Sequence, residues 1–125
     1  MYTSTAKIQY GPGVKIWGLV DKDLVRYYQS LIPKYIDYQK QKYAPHISLV
    51  RVIESLPDDF IKKWWKYDKL KFEFTYDGIL RHDDKYIWMD IRSPEIVRIR
   101  EELGLRGYRY SDCSHITFGN FKHAR

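Results

Sequence analysis

Short segments of alternating apolar and polar residues recur along the chain, and this period of two predicts β-strands. The segments are rich in β-branched and aromatic residues, which favour strands. Turn-forming residues such as the Gly-Pro-Gly at positions 11–13 separate several of them. We expect five strands, at residues 14–20, 46–52, 70–80, 86–91 and 115–121.

Helix signals fall between these strands. Asp21 stands in the N-cap position before a helix at residues 22–31, and Ser93 stands before a helix at residues 94–103 that begins with a proline. A further helix is expected at residues 60–67. The predicted order is therefore β-α-β-(α)-β-β-α-β, which is typical of an α+β domain.

A chain of 125 residues is expected to form one domain. Its two halves, residues 1–68 and 69–125, each contain a strand, a helix and a closing strand. Both closing strands begin with the same short pattern. This similarity suggests an internal duplication.

The repeated pattern is a histidine followed two residues later by a hydroxyl side chain. His46 and Ser48 begin one closing strand, and His115 and Thr117 begin the other. Residues i and i+2 of a strand point to the same side, so each motif presents an imidazole beside a hydroxyl. Two such copies among only four histidines favour a functional interpretation.

This pairing suits cleavage of a phosphodiester without a metal. One imidazole can remove a proton from the nucleophile while the other protonates the leaving oxygen, because both forms of imidazole are accessible near neutral pH. The hydroxyls of Ser48 and Thr117 can donate to the non-bridging oxygens, where charge develops. The motifs do not indicate which histidine is the base.

The paired motifs and the element order resemble the 2H phosphoesterase superfamily over nearly the whole chain. The resemblance implies two pseudo-symmetric β/α lobes with antiparallel sheets around a central cleft, and it implies that His46, Ser48, His115 and Thr117 are catalytic. The segment YAPHISL and the 69-residue spacing of the motifs are most similar to phage anti-CBASS phosphodiesterases. Those enzymes degrade cyclic oligonucleotide messengers, such as cGAMP, of bacterial immunity.

Composition is compatible with such a substrate. The net charge is +6 and aromatic residues make up 17% of the chain, which suits an anionic ligand with flat rings. The candidate substrate-binding residues are aromatic or basic side chains near the predicted strands: Tyr10, Lys15, Trp17, Tyr76 and Trp88. No obligate protein partner is predicted.

Metal and cofactor signals are weak. Residues 82–84 read His-Asp-Asp, but they separate two strands, so we expect a hairpin turn. Asp112, Cys113 and His115 have a spacing that matches no common zinc pattern. We therefore expect no metal and no cofactor. The single cysteine excludes an internal disulfide and favours a reducing compartment.

Apolar runs are too short for a membrane-spanning helix, and the polar N-terminal segment lacks the apolar stretch of a secretory signal. We expect a cytoplasmic protein, in the host cytosol if it is viral. Two alternatives remain open. One is an RNA-end enzyme acting as a 2′,3′-cyclic phosphodiesterase or a 2′,5′-RNA ligase. The other is a non-catalytic module that binds RNA or nucleotides.

Overall fold

Eight strands and three α-helices form in the computed structural model, which describes residues 1–40, 44–51, 54–108 and 113–121. The helices are α1 (Lys22–Ser30), α2 (Ile61–Trp64), which continues into a 3₁₀ turn (Trp65–Tyr67), and α3 (Pro94–Glu102). The strands are β1 (Tyr2–Tyr10), β2 (Ile16–Val20), β3 (Tyr38–Gln39), β4 (His46–Val50), β5 (Lys71–Tyr76), β6 (Arg81–His82), β7 (Tyr86–Arg92) and β8 (Ser114–Phe121).

All strand pairings are antiparallel, in the order β3-β8-β4-β2-β1-β5-β7-β6. Strand β8 also pairs with β7, so six strands close into a barrel: β8, β4, β2, β1, β5 and β7. The short strands β3 and β6 extend the sheet beside β8 and β7. The α+β expectation is therefore confirmed.

The antiparallel sheets expected in two lobes are instead one continuous sheet. The barrel strands of the two halves pair at two junctions, β1 with β5 and β4 with β8, and these junctions close the barrel. The short strand β3 of the first half also pairs with β8. Each half still contributes three adjacent strands, β4-β2-β1 from the first and β5-β7-β8 from the second. Within this order, β1, β2 and β4 occupy positions equivalent to β5, β7 and β8.

Strand β1 was not predicted from the sequence. Its segment is mostly polar, and only Ala6 and Ile8 are buried, so its apolar pattern is weak. The strand forms because β2 and β5 supply hydrogen-bonding partners along both of its edges. With β1 included, each half reads β-β-α-β, apart from the short additional elements.

The predicted caps of α1 and α3 and the predicted end of the first motif strand are only partly confirmed. Asp21 caps α1 as expected, its carboxylate accepting a hydrogen bond from the Asp23 amide at 3.0 Å. Ser93 occupies the N-cap of α3, but its hydroxyl donates instead to the Glu73 carbonyl at 2.6 Å. The strand predicted at residues 46–52 ends at Val50, and residue 52 lies outside the described residues.

The core is one cluster of buried side chains from the barrel and all three helices. On the motif strands, Ile47, Leu49, Ile116 and Phe118 are fully buried. Burial of each such side chain contributes roughly 1.5–3 kcal/mol. Because the strand period is two, this burial turns the polar motif residues to the other face. Within the described residues, no helix is both long and apolar enough to span a membrane.

Candidate active site

The two motif strands are neighbours in the barrel. Ile47 on β4 pairs with Ile116 on β8, at the centre of each motif. The four polar motif side chains flank this pair and all line one cleft of about 560 Å³: His46, Ser48, His115 and Thr117. This volume lies within the range of about 300–1,000 Å³ that is typical of ligand sites. We call it the motif cleft.

The His46 ring is fixed on two sides. Its Nδ1 lies 2.8 Å from the Ala44 carbonyl oxygen, which can only accept a hydrogen bond, so Nδ1 carries a proton and Nε2 is the acceptor in the neutral ring. The Trp17 ring stacks on it at a centroid separation of 4.3 Å. Burial lowers the pKa of His46 below its usual range, the Ala44 hydrogen bond raises it, and the Lys15 charge lowers it further.

His115 has a different environment. Its Nε2 lies 3.3 Å from Asp90 Oδ1 and 3.8 Å from Cys113 Sγ. Burial lowers the pKa of His115 below its usual range, and the Asp90 charge opposes that effect only in part. The pKa values of both histidines are thus lowered by burial, but the Asp90 charge favours protonation of His115, whereas the Lys15 charge disfavours protonation of His46.

Asp90 is held in place by two neighbours. The Trp88 indole nitrogen donates to Asp90 Oδ1 at 3.0 Å, and Arg81 Nε lies 2.9 Å from Oδ2. Asp90 is also the register partner of His115 on β8. The motif pattern in the sequence does not include Asp90, although an acidic side chain two residues after Trp88 in an otherwise apolar strand is a usable signal.

Trp17 and Trp88 occupy matching places in the two halves. Trp17 is the register partner of Ser48, and Trp88 is the register partner of Thr117. The Trp17 ring contacts His46, and the Trp88 ring centre lies 5.9 Å from that of His115. Each motif histidine is thus supported by a tryptophan from the neighbouring strand.

The five candidate substrate-binding residues are dispersed. Among them, Trp88 lines the motif cleft, whereas Tyr10, Lys15, Trp17 and Tyr76 do not. Lys15 Nζ lies 4.6 Å from the centre of the Trp17 ring, so these two side chains border His46 instead. Their role in holding substrate stays a prediction.

The two tyrosines pack elsewhere. The Tyr10 hydroxyl donates to the Trp64 carbonyl and accepts from the Tyr67 amide, so this side chain fastens α2 and its 3₁₀ turn to the barrel. The Tyr76 ring contacts Tyr2 and Tyr28 at the edge of the core. Neither position favours contact with a ligand in the motif cleft.

A buried ion pair supports the first motif strand. Arg100 on α3 is only 3% exposed, and it donates to the Leu49 carbonyl at 2.7 Å and to both carboxylate oxygens of Glu54. The second half of the chain thereby holds β4 by its main chain. Glu54 balances the Arg100 charge in this ion pair. Arg51 also lines the cleft.

The expected hairpin turn forms, but it begins after His82, which is the last residue of β6. Strands β6 and β7 are joined by a hairpin in which Asp83 Oδ1 accepts from the amides of Lys85 and Tyr86, both at 2.7 Å. Asp112 lies outside the described residues. Cys113, considered with it from the sequence, does lie beside His115.

Comparisons with protein-family models, with curated proteins and with solved structures each find no match for this chain. Its function must therefore be argued from the motif cleft.

Proposed function

We propose that this protein is a metal-independent phosphodiesterase of the 2H type that hydrolyses small cyclic oligonucleotides. The main support is that both histidine–hydroxyl pairs, which lie far apart in sequence, line one cleft of ligand size. A structural role alone does not require two imidazoles and two hydroxyls on the open face of adjacent strands.

We assign His46 as the general base. Its Nδ1 is committed to the Ala44 carbonyl, so Nε2 has the lone pair that can take a proton from the attacking hydroxyl. Burial and the Lys15 charge lower the pKa of the ring, which favours its neutral form. A general base must be unprotonated at the working pH, and this environment meets that requirement.

We assign His115 as the general acid. In the imidazolium, Nε2–H donates to the Asp90 carboxylate, which stabilises the charge, and the proton on Nδ1 passes to the leaving oxygen as the P–O bond breaks. The proton taken by His46 and the proton lost by His115 balance over the step. Ser48 and Thr117 donate to the non-bridging phosphate oxygens and stabilise the charge that develops there.

The nucleophile can be the substrate's own 2′-hydroxyl or a water molecule. Attack by the 2′-hydroxyl forms a 2′,3′-cyclic phosphate and releases the 5′-oxygen. A second attack by water then opens that ring, with the same two histidines exchanging roles. Trp88 lines the cleft, where its ring can contact a base.

In this proposal, the two lobes implied by the resemblance correspond to the two β-β-α-β halves of one barrel. The matching partners of the two motifs, Trp17 with Ser48 and Trp88 with Thr117, support a duplication. Under this proposal the halves bring one imidazole each to opposite sides of the phosphorus, as in-line displacement requires. A role for a phage against CBASS immunity follows from the resemblance alone.

The direct test is incubation with cyclic dinucleotides, cyclic trinucleotides and RNAs ending in 2′,3′-cyclic phosphate or containing 2′,5′ linkages, followed by chromatography. We expect turnover of at least one cyclic oligonucleotide in excess EDTA. Turnover of RNA ends alone would make the protein an RNA-end enzyme. Binding of all substrates without turnover would contradict a catalytic role.

A further inference from the structure

We propose that Asp90, Cys113 and His115 form a zinc-binding site beside the motif cleft, and that Zn²⁺ bound there inhibits the enzyme. Zinc binding itself does not depend on the proposed function, whereas inhibition rests on it. The three ligand atoms come from β7, from the residue before β8 and from β8.

The spacing of these atoms resembles that around a tetrahedral zinc ion. In such a site, bond lengths of about 2.0–2.3 Å place neighbouring ligand atoms roughly 3.3–3.6 Å apart. His115 Nε2 lies 3.3 Å from Asp90 Oδ1 and 3.8 Å from Cys113 Sγ. All three ligand atoms lie within 4.8 Å of one another, so small side-chain rotations complete the geometry.

The chemistry of the ligands selects the ion. One thiolate, one imidazole and one carboxylate suit zinc, whereas magnesium and calcium prefer oxygen ligands alone. Three protein ligands leave a fourth position for water or a phosphate oxygen. Cys113 and His115 both line the motif cleft, so that position is accessible to substrate.

The surrounding residues orient the carboxylate. Trp88 donates to Asp90 Oδ1, and Arg81 pairs with Oδ2. Such outer contacts hold metal-binding carboxylates in position in known sites. The backbone also contributes, because Asp90 and His115 are register partners on adjacent strands.

Inhibition is expected because the zinc ion would bind to His115 Nε2. A ring whose Nε2 binds zinc cannot become the imidazolium that the general acid requires. Zinc binding and catalysis therefore compete for His115. A metal bound there would inhibit the proposed enzyme, whose reaction needs no metal. The site also differs from the Asp112–Cys113–His115 set considered from the sequence, because Asp90 provides the carboxylate.

Binding is tested by titrating the EDTA-treated, reduced protein with Zn²⁺ in a calorimeter and with Co²⁺ in a spectrophotometer. We expect one zinc per chain and a thiolate-to-cobalt absorption band in the near ultraviolet. Cys113→Ala and Asp90→Asn should each weaken zinc binding by at least about 100-fold, because even the loss of an outer contact commonly costs 10–100-fold. His82→Ala, which removes an exposed histidine elsewhere, is the matched control.

Inhibition is tested as the ratio of activity with and without Zn²⁺, so that differences in basal activity cancel. Wild type and His82→Ala should lose activity with added zinc and regain it in EDTA, and Cys113→Ala should keep its ratio near one. Equal zinc affinity in wild type and Cys113→Ala would overturn the site. Loss of wild-type activity in EDTA with restoration by zinc would overturn its inhibitory role and make the metal catalytic. If no substrate is turned over, the calorimetric and cobalt results still decide whether the site exists.

Discussion

The two halves of the barrel have the same backbone plan but give their motif histidines opposite surroundings. At the position paired with the histidine, the first half has Leu19 and the second has Asp90. His46 is bordered by the Lys15 charge, whereas His115 faces a carboxylate. A repeated scaffold therefore supplies two equivalent imidazoles, and the residues beside them place a positive charge near one and a negative charge near the other. The proposed roles of base and acid rest on this difference.

The tryptophans show the opposite pattern, because they occupy the same register position in both halves. Each is the register partner of the motif hydroxyl and contacts the motif histidine of its half. A flat ring restricts the imidazole without adding charge. Packing around the histidines is thus shared between the halves, and the electrostatic environment differs.

The largest expected effect is the loss of either histidine. His46→Ala and His115→Ala should each lower kcat by about 10²–10⁴, because each removes one proton transfer. Ser48→Ala and Thr117→Ala should have smaller effects, since one hydroxyl supplies only part of the charge stabilisation. Steady-state rates on the best cyclic oligonucleotide measure this, with His82→Ala as the matched control. Near-full activity of either histidine variant would end the acid–base assignment.

The arrangement of the motifs was accessible from the sequence because it follows from short-range rules. Alternation in β4 and β8 fixes which residues are buried, and the fully buried Ile47 and Ile116 leave the motif side chains on the other face. The hairpin before β7 and the cap of α1 also follow from local turn and capping chemistry. These features need no information from the rest of the chain.

Features that depend on pairing between strands far apart in the chain could not be predicted from the sequence. Strand β1 has a weak apolar pattern and is defined by its partners β2 and β5. Barrel closure depends on the pairing of β4 with β8. Asp90 becomes part of the site only through its register with His115, so a search for spaced motifs passes over it.

A second prediction separates base from acid by changing the leaving group. A nucleoside 3′-(4-nitrophenyl phosphate) releases a weakly basic phenolate that needs little protonation. On this substrate His115→Ala should recover roughly 10–100-fold of its lost rate, while His46→Ala should remain as impaired as on the natural linkage. Release of nitrophenolate is followed by absorbance. Recovery of His46→Ala instead would reverse the two roles.

A third prediction concerns the contribution of Lys15 to the pH dependence. Burial, and secondarily the Lys15 charge, lower the pKa of His46, and the base works only when unprotonated, so activity falls as pH drops through this pKa. Lys15→Met should raise the pKa and move the acidic limb of the kcat/KM profile to higher pH. Lys15→Arg keeps the charge and should leave the limb in place. Equal movement in both variants would show that packing on Trp17, rather than charge, sets the pKa.

The smallest expected effect is the salt dependence of substrate binding. It distinguishes binding in the motif cleft from binding to basic residues elsewhere on the surface. A cyclic dinucleotide has two phosphates, so its binding should weaken only gently with salt, with a logarithmic slope of about 1–2. A linear RNA would need a longer basic track, yet the exposed lysines Lys62 and Lys63 lie on α2, whose residues do not line the motif cleft in the described structure. A double change of these lysines to glutamine should therefore leave KM for the cyclic substrate within about twofold of the wild-type value.

Competition between a cyclic dinucleotide and a linear RNA at increasing salt measures the salt dependence of binding for both ligands. Tighter and steeply salt-dependent RNA binding, weakened by the lysine changes, would favour the RNA-end enzyme over the cyclic-oligonucleotide phosphodiesterase.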